Sequence, residues 1–255
     1  MGIANVDGKA VLVVGGSRGI GRAIAERFAE LGAEVGLTAR SADTASEVAA
    51  SIAEAHGRPV SGHVLDVTDR ARIREVVEGF APESGAPDVL VYNAGISPVY
   101  ASAEKVEEDD WDAIIATNLT GAFLAARTFA RRLIPEERPG SIVLVGSINS
   151  IVGDPRLVAY TASKAGLAGM SKTLSLDWAR YGIRVNTVAP GYVATDLTSG
   201  LQQNEGLKKA ITDRTPLNRM AEPAEIADLV VFLASDSSSF ITGAVYPLDG
   251  GWTTW

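Results

Sequence analysis

Short apolar runs alternate with amphipathic stretches along the whole chain, and this alternation limits the possible folds more than any other feature. Five runs are rich in Val, Ile and Leu: AVLVVG (10–15), EVGLTA (34–39), VLVYNAG (89–95), SIVLVGS (141–147) and RVNTVAP (184–190). Two weaker runs are VSGHVLDV (60–67) and AVYPLD (244–249). Strands that are apolar on both faces are typical of a parallel sheet that helices cover on both sides.

The segments between the runs show helical spacing. The first contains four apolar residues at i, i+4, i+8 and i+11, which are Ile20, Ile24, Phe28 and Leu31. They predict one buried stripe on a helix that Gly32 ends. Residues 109–134 and 159–181 predict two longer helices. The chain is therefore predicted to form a single α/β domain over 1–255, a doubly wound, Rossmann-like parallel sheet with helices on both faces.

One stretch departs from this regular alternation. Residues 193–222 are mostly polar, follow the end of a predicted strand and show the least regular pattern in the chain. Long irregular segments in such a position often close over a bound substrate. We therefore predict a substrate lid at 193–222.

Composition excludes several classes of protein. The chain has 255 residues, no cysteine and two histidines, so disulfides are excluded and no metal site is predicted. The formal net charge of −8 disfavours a nucleic-acid partner, because phosphate binding needs clustered Lys and Arg. No apolar run approaches the roughly 18 residues of a membrane span. We expect a soluble cytoplasmic protein with neither a nucleic-acid nor a membrane partner.

A glycine-rich loop links the first predicted strand to the first predicted helix, in the stretch VVGGSRGIGRAIAERF (13–28). Gly15, Gly19 and Gly21 permit a tight turn in which the backbone comes close to a pyrophosphate. The helix that follows offers free N–H groups to the same anion. The loop therefore predicts a dinucleotide site, although a glycine-rich turn without a ligand has the same spacing.

The end of the second predicted strand indicates which dinucleotide is bound. An acidic residue at this point would bind the ribose hydroxyls of NAD. Ala39 occupies the position, Arg40 follows it, and Arg18 lies in the glycine loop. Two guanidinium groups suit the 2′-phosphate of NADP(H), so NADP(H) is predicted and NAD(H) is the alternative. The other interpretation is that both arginines are solvated surface charges.

A tyrosine and a lysine stand one helical turn apart in AYTASKAG (159–166), and a serine precedes them. Ser147 ends the predicted strand SIVLVGS, thirteen residues before Tyr160. A phenol with a pKa of about 10 is a poor acid at neutral pH, but the ammonium of Lys164 would lower that pKa. Tyr160 would then exchange a proton with a substrate oxygen, which Ser147 would also hydrogen-bond. The alternative is an ordinary i, i+4 contact on a helix surface.

Over nearly its whole length the chain resembles the short-chain dehydrogenase/reductase family, and especially its members similar to 3-oxoacyl-acyl-carrier-protein reductase. The resemblance rests on the glycine loop, LDVTD (65–69), YNAG (92–95), the Asn118 segment, the Ser-Tyr-Lys residues, APGYVATD (189–196) and ITGAVYPLDGG (241–251). Two residues depart from the family's pattern. Val14 stands where the family usually has Thr, which puts the bracing of the glycine loop in doubt, and Tyr92 stands where it typically has Asn.

The resemblance assigns roles to individual residues. It implies four catalytic residues, which are Asn118, Ser147, Tyr160 and Lys164. Asn118 would support a water linked to the lysine, although an asparagine that bonds the backbone at a helix bend is the simpler interpretation. The implied cofactor-binding residues are Gly15, Ser17, Arg18, Gly19, Ile20, Gly21, Arg40, Asp66, Val67, Asn93, Ala94, Gly95, Tyr160, Lys164, Pro190, Gly191, Val193 and Thr195.

The resemblance also implies the reaction and the partners. We expect an NADP(H)-dependent oxidoreductase that transfers hydride between nicotinamide and a carbonyl or secondary alcohol of a small-molecule substrate. One alternative is an NAD-dependent alcohol, sugar or polyol dehydrogenase of the same family, and another is a non-catalytic dinucleotide-binding protein. Members of the family are commonly homotetramers that pack through the two long helices and the last strand, so a homotetramer is expected.

The substrate itself is not identified by the sequence. Candidate substrate contacts are residues 96–100, 149–157, Tyr192 and residues 196–215. Five apolar residues within the first two segments suggest an apolar pocket wall, namely Pro98, Val99, Ile151, Val152 and Leu157. A basic cluster would suit an acidic carrier protein or, equally, the C-terminal end of a helix dipole; its members are Arg127, Arg131 and Arg132.

Overall fold

The computed structural model describes residues 5–82 and 85–254, and its centre is a seven-stranded sheet in which every strand pair is parallel. The strands are β1 Ala10–Val14, β2 Glu34–Ala39, β3 Val60–Val64, β4 Val89–Tyr92, β5 Gly140–Val145, β6 Ile183–Pro190 and β7 Val245–Leu248. Their order in space is β3-β2-β1-β4-β5-β6-β7. The chain therefore winds outward from β1 in one direction and from β4 in the other, which confirms the predicted doubly wound fold.

All seven apolar runs, including the two weaker ones, form strands. The differences lie at the carboxyl ends, where β4 stops at Tyr92 and β5 stops at Val145, a few residues before the apolar runs end. The remaining residues of these runs turn away from the sheet. Because all strands are parallel, these turns gather at one edge, where ligands of such folds bind.

Helices cover both faces of the sheet. They are α1 Gly19–Glu30, α2 Ala42–His56, α3 Arg70–Gly79, α4 Glu108–Ile115, α5 Gly121–Leu133, α6 Val158–Trp178, α7 Ser199–Gln203, α8 Glu205–Arg214 and α9 Pro223–Ala234. Successive side chains of a strand point to opposite faces. Accordingly Val11 and Val13 join the core under α1, α2 and α9, whereas Leu12 joins the core under α3, α5 and α6.

The first helix forms as its spacing predicts. Ile24 and Phe28 are fully buried against the sheet, and Ile20 and Leu31 are partly buried against the same core. Gly32 follows the helix with a φ of 93°, in the left-handed region where glycine carries no steric penalty. The stripe thus fixes the face that α1 buries, and the glycine fixes where α1 ends.

The prediction that residues 193–222 are irregular was wrong for its central part. A 3-10 turn, Asp196–Thr198, leads into α7 and then α8. The side chain of Asn204 caps α8 by accepting a hydrogen bond from the Leu207 N–H over 3.1 Å. Ile211 buries its side chain in a small separate apolar cluster. Periodicity missed these helices because so few of their positions are apolar.

The predicted helix over 109–134 is interrupted by a single π-helical turn, Ala116–Thr120, between α4 and α5. Together these elements make a helical stretch, Glu108–Glu136, that is long and apolar enough to cross a membrane. However, 61% of its most apolar window is buried inside the protein. The apolar side chains of this stretch are therefore explained by packing, since a buried core helix has the same composition.

Candidate active site

A cleft of about 740 Å³ opens at the carboxyl edge of the sheet. The loops that follow β1, β2, β3, β4 and β5 form its walls. Most of the predicted cofactor residues line it: Gly15, Ser17, Arg18, Gly19, Ile20, Arg40, Asp66, Val67, Asn93, Ala94, Gly95, Tyr160, Lys164 and Thr195. The volume of the cleft lies within the range of small-molecule sites. The fold thus brings residues that are up to 180 positions apart in the sequence into one pocket.

The other four predicted cofactor residues are not part of this lining. Gly21 packs against the glycine loop, where any side chain would overlap the carbonyl oxygen of Gly15. Pro190 ends β6, and Gly191 packs closely against Asp249. Val193 is buried and pairs with Ala221 in an isolated parallel bridge. In the structure these four residues pack against neighbouring segments and do not line the cleft themselves.

The N-terminus of α1 faces the cleft in a form that suits a phosphate. Arg18 is the N-cap residue and makes no side-chain capping bond, and the first turn holds no acidic residue. Among the described residues, therefore, no side chain caps this turn, and its N–H groups are available to a bound anion. Together with the positive end of the helix dipole, they fit the pyrophosphate of a dinucleotide.

The glycine loop is braced by neighbouring strands. Thr38, at the end of β2, accepts a hydrogen bond from the Gly15 N–H at its side-chain Oγ1 over 2.9 Å, and its carbonyl accepts one from Gly16 over 3.1 Å. Asn93 donates from its side-chain amide to the Gly15 carbonyl over 2.8 Å. These bonds resolve the doubt that Val14 raised, because Thr38 supplies a hydroxyl from the adjacent strand. Sequence reasoning missed Thr38, whose contact depends on the order of the strands.

Arg40 and Asp66 both line the cleft, at the end where the sequence predicts the adenosine. Asp66 accepts hydrogen bonds from the backbone and the hydroxyl of Thr68 over 2.9 and 2.7 Å. These bonds, the backbone one above all, and the nearby charge of Arg40 hold the pKa of Asp66 below its usual range. Asp66 is thus an ionised acceptor that also shapes its turn. Because Arg18 lines the same cleft, two guanidinium groups are available to a 2′-phosphate.

Tyr160 and Lys164 lie on the first two turns of α6, beside the end of β5. The ammonium of Lys164 is almost fully buried, with 4% of the residue exposed, and donates to the Val145 carbonyl over 2.9 Å. It lies 5.7 Å from the centre of the Tyr160 ring. Ser147, just beyond β5, lies close enough to the Tyr160 side chain to lower the pKa of its phenol. The three predicted catalytic side chains are therefore neighbours, and two of them, Tyr160 and Lys164, line the cleft.

The acid–base balance of these groups differs from the sequence-based expectation. Burial raises the pKa of Tyr160, and the hydrogen bond from Ser147 opposes that rise only in part. Burial also lowers the pKa of Lys164 to about 8. The predicted lowering of the Tyr160 pKa by Lys164 was therefore wrong for the protein's own groups. Removing the phenol from water disfavours the phenolate, and this effect is larger than the opposing effect of Ser147.

The hydroxyl of Ser147 is oriented by its own loop. Ser147 caps the 3-10 turn Ile148–Ser150 and accepts from the Asn149 N–H over 3.2 Å. Its Oγ donates to the side-chain oxygen of Asn149 over 3.1 Å, and the Asn149 amide donates to Thr161 over 3.2 Å. This chain of bonds connects Ser147 to α6 one residue after Tyr160. The sequence did not predict these hydrogen bonds.

Asn118 lies in the π-helical turn and is fully buried. Its side chain accepts from the Ile96 N–H over 2.8 Å and donates to the Ile96 carbonyl and to the Ser163 hydroxyl, both over 3.0 Å. A Cβ placed on Gly95 would be 3.5 Å from both the Asn118 Oδ1 and the Lys164 Nζ. Asn118 therefore bonds the backbone at a helix bend, and its Oδ1 and the Lys164 ammonium both lie close to Gly95. Its support of a water linked to the lysine stays a prediction.

A second group of residues lies at the expected substrate end. Tyr192 packs against Trp252, with 4.9 Å between the ring centres, and the Arg214 guanidinium lies 4.2 Å from the centre of the Trp252 ring. This cluster adjoins Ile148, next to Ser147, and Val152. Tyr192, Val152 and the 196–215 segment were predicted as substrate contacts, whereas Trp252 was missed because the last residues of the chain carry no motif.

Comparison with known proteins agrees with this geometry. The sequence profile described as Enoyl-(Acyl carrier protein) reductase matches residues 14–253. The 3-oxoacyl-(acyl-carrier-protein) reductase of Thermotoga maritima is 43% identical over 249 residues, which cover 96% of this chain and 98% of the relative. The gluconate 5-dehydrogenase of Gluconobacter oxydans is 37% identical over 249 residues, which cover 98% and 96% of the two chains.

The chain belongs to the short-chain dehydrogenase/reductase family. A solved structure of a gluconate 5-dehydrogenase from Burkholderia cenocepacia, in complex with NADP and tartrate, superposes with a TM-score of 0.94 at 34% identity and covers 99% of both chains. The predicted family and fold are confirmed, and with them the prediction of an NADP(H)-dependent oxidoreductase of this family that acts on a carbonyl or secondary alcohol.

The bracing of the glycine loop in this family member can be tested at Thr38. Thr38→Val keeps the shape of the side chain but leaves the Gly15 N–H without its acceptor. Losing one such bond costs on the order of 1.4 kcal/mol, so we expect the dissociation constant for NADPH to rise about tenfold in a fluorescence titration. Thr38→Ser, which keeps the hydroxyl, should bind NADPH like the wild type. Equal weakening in both variants would show that the hydroxyl does not brace the loop.

The burial of Lys164 predicts a pH dependence of stability in the protein without cofactor. The pKa of Lys164 is about 8 in the folded chain and about 10.4 in an unfolded one, so only the unfolded chain holds the proton between these values. The free energy of unfolding should therefore rise with pH from about 8 to about 10, by at most about 3 kcal/mol. Urea denaturation of Lys164→Met should show a flatter dependence; equal slopes would contradict the assignment.

Proposed function

We propose that the protein is an NADPH-dependent carbonyl reductase in which Tyr160 is the general acid. The observation that carries this proposal is the pair of Tyr160 and Lys164 at the wall of the dinucleotide cleft, with the buried Lys164 ammonium 5.7 Å from the centre of the Tyr160 ring and the Ser147 side chain next to Tyr160. Two hydroxyls that converge in this way fit a single substrate oxygen. A non-catalytic dinucleotide-binding protein would have no need of this arrangement.

The roles of the side chains follow from their protonation. Because burial raises the pKa of Tyr160, the phenol holds its proton at neutral pH and is ready to donate it. NADPH, when bound, supplies the hydride that reduces the carbonyl carbon. Tyr160 donates its proton to the carbonyl oxygen as negative charge develops there, and Ser147 donates a hydrogen bond to the same oxygen. In the oxidative direction Tyr160 would accept the proton of the alcohol.

A second candidate function is the oxidation of a hydroxy acid. Arg214 rests on the ring of Trp252 and makes neither a hydrogen bond nor an ion pair with any other residue in 5–82 and 85–254. Its charge reaches Tyr192, whose pKa it lowers against the larger effect of burial. A free guanidinium beside the substrate end suits a carboxylate. The gluconate 5-dehydrogenases among the relatives point to the same class of substrate.

The basic cluster on α5 gives little support to a carrier-protein substrate. Arg132 donates to the backbone carbonyls of Phe80 and Gly85, the latter over 2.7 Å, and so holds the loop before β4. Arg127 lies over the Phe123 ring, 5.5 Å from its centre. Of the three arginines, only Arg131 is exposed without such a contact within the described residues. A small-molecule substrate is therefore the simpler proposal.

Residues 193–222 are proposed as the lid of this single-domain enzyme. Thr195 approaches the glycine loop closely, because a Cβ on Gly19 would be 3.5 Å from the Thr195 side chain. From there α7 and α8 lead to Arg214 at the substrate end. The segment therefore extends from the glycine loop to the proposed substrate end of the cleft. Closure of such a segment would exclude water from the reacting atoms.

We also propose that the enzyme is a cytoplasmic homotetramer. Large apolar side chains are exposed on the long helices: Trp111 and Phe123 at 38% each and Leu176 at 79%. Phe240 is fully exposed just before β7, which is an edge strand of the sheet. Exposed apolar side chains of this size, next to an unpaired strand edge, are typical of subunit interfaces.

The role of Tyr160 is tested by Tyr160→Phe, which removes only the hydroxyl. We expect kcat for ketone reduction to fall about 10²–10⁴-fold, while NADPH binding stays within about twofold of the wild type, because the phenol is the proton donor. The assays use a 3-oxoacyl thioester, gluconate and simple ketones and alcohols, each with NADP(H) and NAD(H). Wild-type turnover in Tyr160→Phe would refute the assignment, and better turnover with NAD(H) would refute the cofactor preference.

The same panel separates the two substrate classes. If the substrate carries a carboxylate, Arg214→Met should raise KM for gluconate about tenfold or more without changing KM for a neutral ketone, because a charge-assisted bond is lost. If the substrate is neutral, both KM values should stay unchanged. Arg180→Met, which removes another stacked arginine, on Tyr181 and outside the lining of the cleft, serves as the matched control.

The proposed assembly predicts a mass in solution four times that of one chain. Leu176→Asp and Phe240→Asp place charges at positions expected to be covered, so each should reduce the mass measured by sedimentation, because a buried unpaired carboxylate is costly. Glu54→Lys, on an exposed face of α2, is the control and should leave the mass unchanged. A wild-type protein that sediments as a monomer would rule out the tetramer.

A further inference from the structure

Tyr92 occupies a position where the family typically has Asn, and the structure gives it a specific contact. It is the last residue of β4, and only 1% of it is exposed. Its hydroxyl donates a hydrogen bond to the carbonyl oxygen of Thr117 over 2.6 Å. Burial raises the pKa of Tyr92 far above its ordinary value, so the hydroxyl is protonated and can donate at neutral pH.

The acceptor of this bond is a carbonyl that has lost its α-helical donor. In an α-helix the N–H of Gly121 would donate to Thr117, four residues before it. Here it donates to Ala116, five residues before it. A buried carbonyl without a donor would carry a free-energy cost, and the Tyr92 hydroxyl removes that cost. The tyrosine therefore stabilises the turn in its π-helical form.

Gly121 provides the space for this hydroxyl. It is the first residue of α5, and a Cβ at this position would overlap the Tyr92 oxygen. The backbone there is ordinary helix, so φ does not require glycine. The close approach of the Tyr92 hydroxyl, and of the Val67 carbonyl oxygen at 2.9 Å from such a Cβ, does require it. Tyr92 and Gly121 are thus matched in size across the junction between β4 and the π-helical turn.

The turn that Tyr92 holds carries Asn118, the residue after the acceptor. Asn118 directs its amide to Ile96 and Ser163, and its Oδ1 lies on the same side of Gly95 as the Lys164 ammonium. Ser163 in turn donates to the Tyr160 carbonyl over 2.7 Å. A shift of the turn by one hydrogen-bond register would rotate Asn118 away from these partners, because each helical residue advances the side-chain direction by about 100°.

We propose that Tyr92 is a positioning residue for Asn118, acting through its hydrogen bond to the Thr117 carbonyl in the space that Gly121 leaves. The inference rests on the proposed function, in which Asn118 and Lys164 support the proton donor Tyr160. It concerns the geometry of the turn rather than contact with the substrate. It predicts that the tyrosine hydroxyl affects turnover more than it affects cofactor binding.

Two substitutions remove this bond in different ways. Tyr92→Phe deletes the hydroxyl, and Gly121→Ala keeps the hydroxyl but displaces it. We expect each to lower kcat about tenfold with KM for NADPH within about twofold of the wild type, which corresponds to the loss of one hydrogen bond. The double variant should lose less than the sum of the two single losses, because both act on the hydrogen bond between Tyr92 and Thr117.

Hydrogen exchange provides a readout that does not depend on activity. In Tyr92→Phe the amides of residues 114–122 should exchange faster than in the wild type, while those of β5 and β6 stay protected. Thr128→Val is the matched control, since Thr128 is a buried hydroxyl on α5 that donates to the Leu124 carbonyl over 2.8 Å. It should lower the midpoint of thermal unfolding by a similar amount and leave both kcat and the exchange of 114–122 unchanged.

Wild-type kcat and wild-type exchange at 114–122 in Tyr92→Phe would overturn the proposal. Equal losses of kcat in Tyr92→Phe and Thr128→Val would overturn it as well, because the effect would then be general destabilisation. The proposed function fails separately, through full activity of Tyr160→Phe. In that case faster exchange at 114–122 would still establish the structural link between Tyr92 and Asn118.

Discussion

The site depends on one buried charge. The ammonium of Lys164 is buried away from water, and it donates a hydrogen bond to the carbonyl of Val145 at the end of β5. A desolvated ammonium is stable only where such acceptors are fixed, so this bond ties the first turns of α6 to the sheet edge. Because Tyr160 is one turn away, the same constraint brings its hydroxyl to Ser147. The lowered pKa of Lys164, about 8, is the physical consequence of this burial.

The protonation of Tyr160 is consistent with a reductase that starts from the neutral phenol. Lys164 alone does not make the phenol acidic, since burial has the larger effect on its pKa. A residue that must donate a proton while hydride arrives gains from holding that proton until the substrate oxygen becomes basic. The surrounding hydrogen bonds, from Asn118 through Ser163 to the Tyr160 backbone, hold the donor in place.

The two departures from the family pattern are each compensated by a residue distant in sequence. Val14 lacks a hydroxyl, and Thr38 supplies one to the glycine loop from the neighbouring strand. Tyr92 is larger than the usual Asn, and its ring and hydroxyl fit because position 121 is glycine. In both cases a buried backbone group needs a partner, and several side chains can provide it. Motif comparison detects the departure but not the compensation.

The sequence by itself determined the strands and most of the helices, and it predicted the catalytic and dinucleotide residues, because these depend on short-range periodicity and on motifs a few residues long. Only the tertiary structure decided how Thr38, Gly121 and Trp252 contribute, and that much of 193–222 is helical. It also decided the direction of the Tyr160 pKa shift. These properties depend on burial and on contacts between residues far apart in the chain, and local sequence patterns predict neither.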